Sequence, residues 1–204
     1  MKQTLLEIEQ NIESRKEKDR IMWFSMWAVL AVASFGVAWF PMIYYAIKRR
    51  NDHFKRQEKL EELILNKLKK GQEPTVDSEK TDDMLPPRNA VAWTVSTVLI
   101  VPAFYIFYFL KNDLHKNEEH EQRFLAEIRA SAKDSGLPLD IKDFTTTPSF
   151  PSTKYTVVSV VTLGLAAAYW LYRIFNDYNS HVKMQWLIED ELLRFLKAID
   201  QKPS

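Results

Sequence analysis

The sequence predicts an all-α protein with three transmembrane helices, each followed by an amphipathic extramembrane helix, arranged as degenerate internal repeats. Three observations point there. Charged residues make up 27% of the 204-residue chain, yet none lies between positions 21 and 47 or between 89 and 110, and a third uncharged stretch covers 155–172. Each stretch is about long enough to cross a hydrocarbon core as a helix. Between them, apolar residues recur at helical spacing among mixed charges. Finally, the three apolar runs end alike, with a Tyr seven residues before an Asn-Asp pair: Tyr44 with Asn51 and Asp52, Tyr105 with Asn112 and Asp113, and Tyr169 with Asn176 and Asp177.

In chain order, residues 1–20 predict an N-terminal amphipathic helix with Leu5, Ile8 and Ile12 on one stripe. They lack the basic region and cleavage site of a signal peptide, so the first apolar run is expected to stay as an anchor. Transmembrane helix 1 is expected over 21–47, with Pro41 as a kink and Ala31, Ser34 and Ala38 as a small-residue packing stripe. An amphipathic helix over 48–71 follows, carrying Leu60, Leu63, Ile64 and Leu68 and closed by Gly71. Residues 72–88 read as a flexible linker.

Transmembrane helix 2 is expected over 89–110, with Ala92 and Ser96 as a packing pair and Pro102 interrupting its backbone ladder. A weaker amphipathic helix over 111–134 bears Phe124, Leu125 and Ile128, and 135–154 is a second linker. Transmembrane helix 3 is expected over 155–175, with Gly164 and Ala168 as its packing pair. The C-terminal amphipathic helix, 176–200, has the best stripe: Met184, Ile188, Leu192, Phe195, Leu196 and Ile199.

Three crossings would put the helices after the first and third spans on one face and that after the second on the other. A further motif agrees: Asn51-x-His53-x3-Gln57 recurs as Asn179-x-His181-x3-Gln185. Lys48, Arg49 and Arg50 favour a plasma (inner) membrane protein with a cytoplasmic C-terminus, while Arg15, Lys16, Lys18 and Arg20 pull the other way.

The run Thr162-Leu163-Gly164-Leu165-Ala166-Ala167-Ala168-Tyr169-Trp170-Leu171-Tyr172 resembles the signature of a family of small prokaryotic membrane proteins known only as a domain of unknown function. That signature is T-L-G-[IL]-Y-x-x-Y-W-x-Y. Thr162, Leu163, Gly164, Tyr169, Trp170 and Tyr172 match, and Ala166 replaces the usual first Tyr. The resemblance implies a multi-span helical fold and no particular activity.

Chemistry is sparse. With no Cys, thiolate catalysis, disulfides and Cys-based metal sites are excluded. Four Gly build no phosphate-cradling loop, and a formal charge of +1 offers no basic face for nucleic acid. His53 and His181, with Asp52 and Asp177, are the candidates for a metal site. The competing reading, which the sequence favours, makes the Asn, His and Gln side chains hydrogen-bonding groups that hold helices in register. No ionisable residue sits in the middle of a span, where ion pathways are usually marked. The expectation is therefore a non-enzymatic structural or interaction module without cofactor. Its partners would be the lipid bilayer and a second copy or another membrane protein. An oligomeric transporter or channel component is the alternative.

Overall fold

The computed structural model describes residues 2–69, 85–135, 139, 141 and 152–201. Among them the chain is all-α: α1 (Lys2–Glu13), α2 (Arg15–Lys18), α3 (Phe24–Ala33), α4 (Trp39–Lys69), α5 (Ala90–Ser96), α6 (Ile100–Ser135), α7 (Ser152–Val161) and α8 (Leu165–Gln201). The expected Gly71 cap and most of the two expected linkers lie outside the described residues.

Each apolar run expected to be one helix is instead two, joined by a tight turn. At the first turn the Gly36 N–H reaches back to the Ala31 carbonyl at 2.7 Å, and at the third the Gly164 N–H reaches Ser159 at 2.8 Å. This six-to-one bond closes a helix when the chain enters the left-handed region. Phe35 and Gly36 adopt φ of 51° and 91°, and Leu163 and Gly164 adopt 50° and 94°. The hydroxyl two residues earlier then starts the next helix. Ser34 Oγ accepts from the Ala38 N–H at 2.9 Å, and Thr162 Oγ1 from Ala166 at 3.0 Å. In the second run, 97–99 turn without a left-handed residue.

Ring contacts show that each short helix folds back on the long helix that follows. Trp27 lies 6.1 Å from Tyr45, Trp93 5.2 Å from Tyr105, and Tyr155 stacks on Trp170 at 5.2 Å. In a straight helix even the closest of these pairs would be roughly 18 Å apart. The kink expected at Pro41 and the break expected at Pro102 are absent, because each proline is the third residue of its helix. There its missing N–H had no intrahelical partner to lose.

The long helices α4, α6 and α8 run parallel. Their first halves share one core, including Ile43, Ile47, Ile106, Leu110, Leu171 and Phe175. Their second halves share another with α1, where Leu60, Ile64, Leu125, Ile128, Leu192 and Leu196 meet Ile8 and Ile12. The C-terminal stripe thus lies against Leu60 and Ile64 as expected. The helix bearing Phe124 joins the same core, which corrects its expected placement on the opposite face: a hairpin returns the chain to the side from which it came. Among the described residues no helix is long and apolar enough to cross a membrane.

The parallel packing also corrects the repeat. Gln57, Glu121 and Gln185 meet one another, and positions 57, 121 and 185 are 64 residues apart. The same period aligns Tyr44, Tyr108 and Tyr172, and brings Ser34-Phe35-Gly36 onto Thr162-Leu163-Gly164. The Tyr-to-Asn-Asp spacing had slipped the second and third copies by three residues relative to the first. In register, Asn51-x-His53-x3-Gln57 has its counterpart in His115-x-Asn117-x3-Glu121.

Candidate functional site

Between the two apolar cores lies a buried polar layer, to which all three repeats and the segment after α2 contribute. His53 on α4 and His181 on α8 face each other with Nε2 atoms 3.1 Å apart. Behind His53, Nδ1 lies 2.9 Å from Asp19 Oδ1, and behind His181, Nδ1 lies 3.5 Å from Glu118 Oε1. Glu121 Oε1 on α6 is 3.7 Å from His181 Nε2. The ligand atoms of His53, His181 and Glu121 all fall within 4.8 Å of one another, and all three residues are buried.

Amides surround Glu121. Gln57 Nε2 donates to it, Asn117 Nδ2 donates at 3.0 Å, and Gln185 donates to both carboxylate oxygens at 3.3 and 3.2 Å while accepting from Gln57 at 2.9 Å. On the Asp19 side, Arg56 donates to Asp19 Oδ1 through Nε at 3.2 Å, and Trp186 Nε1 donates to Asp19 Oδ2 at 3.1 Å. Arg56 also donates to Glu189 Oε1 at 2.6 Å. Buried charges require such partners, since an isolated ion in a low-dielectric interior is very costly.

Burial pushes His53 down to about 4 despite its hydrogen bond with Asp19. It pushes Glu121 up to about 7, against the pull of His181. Burial also acts to lower His181, but the neighbouring carboxylates Glu121 and Glu118 outweigh it and raise this group above an ordinary histidine. For Asp19, burial opposes the charge, yet hydrogen bonding to His53 and the positive Arg56 hold the carboxyl well below the usual range. The arrangement accommodates a neutral His53 that donates from Nδ1 and a protonated His181, or a cation between the two Nε2 atoms.

The sequence pairs His53 with His181 but assigns them the wrong carboxylates. Asp52 turns to Lys48 at 2.8 Å, and Asp177 to Lys111 at 2.8 Å. Asp52 precedes His53 by one residue, about 100° of helix rotation, and so faces elsewhere. Glu121 and Glu118 were missed because three crossings would put α6's charged half across the membrane. The signal that could have found them is the 64-residue period, which puts Glu121 level with Gln57 and Gln185.

Other motif residues organise the chain. Asn51 binds the Arg88 backbone at both its N–H and carbonyl, 3.0 and 2.7 Å, just ahead of α5. Asn179, at the same place in the third repeat, binds the Met22 N–H and carbonyl at 3.1 and 2.8 Å, just ahead of α3. Asp113 pairs with Arg88 and Arg50. Asn112 and Asn176 are half-buried. Tyr44 packs edge-on against Tyr45 at 5.3 Å, and Tyr105 and Tyr169 are about half exposed. The expected packing sets are not drawn together within the chain. Ala31, Ser34 and Ala38 build the first turn, Ala92 and Ser96 serve local hydrogen bonds in α5, Gly164 is at the third turn, and Ala168 is exposed.

A second feature stands at the end of the bundle where the three turns lie. Phe35 is 99% and Leu163 96% exposed. Val32, Val37, Val98, Leu99, Ile100, Val101, Val160, Val161 and Leu165 are exposed beside them. α3 is apolar on every side and none of its residues is buried.

These features define a class: an all-helical bundle of three parallel hairpins with a polar interior layer and an apolar crown. Comparison of the chain with family models, with curated proteins and with solved structures finds no match.

Proposed function

We propose that the chain is a membrane protein that dips into one leaflet through its three hairpins and displays its helical bundle on one side as a non-catalytic structural or interaction module. The observation that carries this reading is the crown of exposed apolar side chains at the three turns. A helix apolar all round needs an apolar surrounding, and contiguous apolar patches of this kind mark protein or membrane contact. The ten residues of α3 make about 15 Å of helix, about half the hydrocarbon thickness of a bilayer. Each large side chain removed from water contributes about 1.5–3 kcal/mol, so a few of them outweigh the cost of confinement at the surface.

The rim of the crown fits the same reading. Trp23 is exposed with the Lys183 ammonium 5.6 Å from its ring centre, and Tyr105, Tyr108, Tyr169 and Tyr172 are exposed on the long helices α6 and α8. Such rings and ammonium groups suit the headgroup region. The basic residues that conflict across three spans no longer do so: Arg15, Lys16, Lys18 and Arg20 lie on the same side as Lys48, Arg49 and Arg50. All of them favour a bundle facing the cytoplasm of a plasma (inner) membrane. The channel alternative loses its motive, since neither proline breaks a helix.

Vesicle flotation tests the reading. The full chain, purified in mild detergent and diluted into phosphatidylcholine–phosphatidylglycerol vesicles, is expected to float with them. The double variant Phe35→Glu, Leu163→Glu is expected to stay behind while keeping its helical circular dichroism. Equal flotation of the variant, or a detergent-free wild type that stays soluble as a defined oligomer, would show that the crown is covered by protein rather than lipid.

A further inference from the structure

We propose that His53, His181 and Glu121 form a binding site for one divalent first-row transition ion of the zinc type, which ties the three repeats together at the axis of the bundle. The proposal stands apart from the membrane reading, because it rests on the polar layer and not on the crown.

The donor set selects the ion. Two imidazole nitrogens and one carboxylate oxygen suit zinc and its neighbours rather than magnesium or calcium, which take oxygen ligands. Each donor comes from a different long helix, α4, α6 or α8: the two histidines share one level of the repeat, and Glu121 stands about one helical turn further along. The 3.1 Å between the Nε2 atoms matches the edge of a coordination polyhedron. With metal–nitrogen bonds of about 2.0–2.1 Å, two ligands stand roughly 2.9 Å apart at a right angle and 3.3 Å apart at the tetrahedral angle.

The surroundings supply an independent observation. Both ring nitrogens that point away from the pair face carboxylates, Asp19 for His53 and Glu118 for His181. Metal-binding histidines almost always place their second ring nitrogen on such a group, which fixes the tautomer and raises the basicity of the ligating nitrogen. The amides of Asn117, Gln57 and Gln185 hold Glu121 in the same way. Beside Glu121 a narrow cavity lined also by Gln57, Glu61 and Gln185 has room for about one water molecule. The burial of all three donors gives the ion a structural role: it crosslinks the helices and meets no substrate.

The test uses the full chain without a polyhistidine tag. After treatment with a chelator, the protein is titrated with Co2+ and then Zn2+, followed by the visible d–d absorption of Co2+, by elemental analysis and by thermal unfolding. The expected result is one equivalent bound, Co2+ bands displaced by Zn2+, and a higher unfolding temperature with metal. His53→Gln and His181→Gln are expected to abolish binding. Glu118→Gln should weaken it by about 10–100-fold, as loss of an orienting carboxylate does. His115→Gln, which removes a histidine outside the layer, should keep one equivalent. Uptake by the wild type no greater than by His53→Gln, or equal loss in His115→Gln, would overturn the proposal. Should the histidine variants fail to fold, the wild-type spectrum decides: bands of nitrogen–oxygen coordination support the site, and their absence at saturating Co2+ refutes it.

Discussion

Gly164→Ala and Gly164→Leu separate a turn from a span. Gly164 sits at φ 94° after Leu163 at 50°, and a Cβ built there meets nothing within 4 Å. An added Cβ therefore suffers no clash, the position is exposed, and the penalty is chiefly backbone strain, about 1–3 kcal/mol for a side-chain-bearing residue in such a region. For a chain of this size that lowers the unfolding temperature by roughly 2–4 °C per kcal/mol. Ala and Leu should cost the same within about 0.5 kcal/mol, and Gly164→Asn should cost less, because Asn visits the left-handed region more readily. Circular dichroism melts in one detergent, with all three variants side by side, measure the differences. A glycine kept for close helix packing would behave otherwise, with Leu far worse than Ala. That ranking, or an Ala variant as stable as the wild type, would refute the hairpin turn at this position.

Three further outcomes follow from the same geometry. Single cysteines at the exposed positions Lys59, Glu127 and Lys197 are expected to react alike with an impermeant thiol reagent in sealed membranes; protection of one while the others label would restore three crossings. Arg56→Met leaves Asp19 and Glu189 buried without their shared cation and should cost about 3–5 kcal/mol, read as a lowered denaturation midpoint; a loss below about 1 kcal/mol would mean that the layer is wetter than its burial indicates. Asn179→Ala removes both hydrogen bonds to Met22 and one from Arg49. It should speed amide exchange at the start of α3 while leaving α5, held by Asn51, at its wild-type rate.

Helical class, the amphipathic stripes and the pairing of His53 with His181 could be read from spacing, because helix periodicity is a local property of the chain. Leu192 and Leu196 reach Leu60 and Ile64 as their stripes require. What charge segregation could not distinguish is a helix that continues from one that turns: Ser34-Phe35-Gly36 and Thr162-Leu163-Gly164 carry no charge and sit inside uninterrupted apolar runs. The information lies in one backbone conformation, which a hydroxyl and a glycine permit without introducing a charge. That single alternative decides the topology. A continuous helix would carry Glu121 away from the two histidines, whereas a hairpin returns it to them. The chain by itself thus determined which side chains could share a polar layer along each helix. Only the tertiary fold, by setting three hairpins parallel at a 64-residue register, decided that His53, Glu121 and His181 lie within reach of one ion.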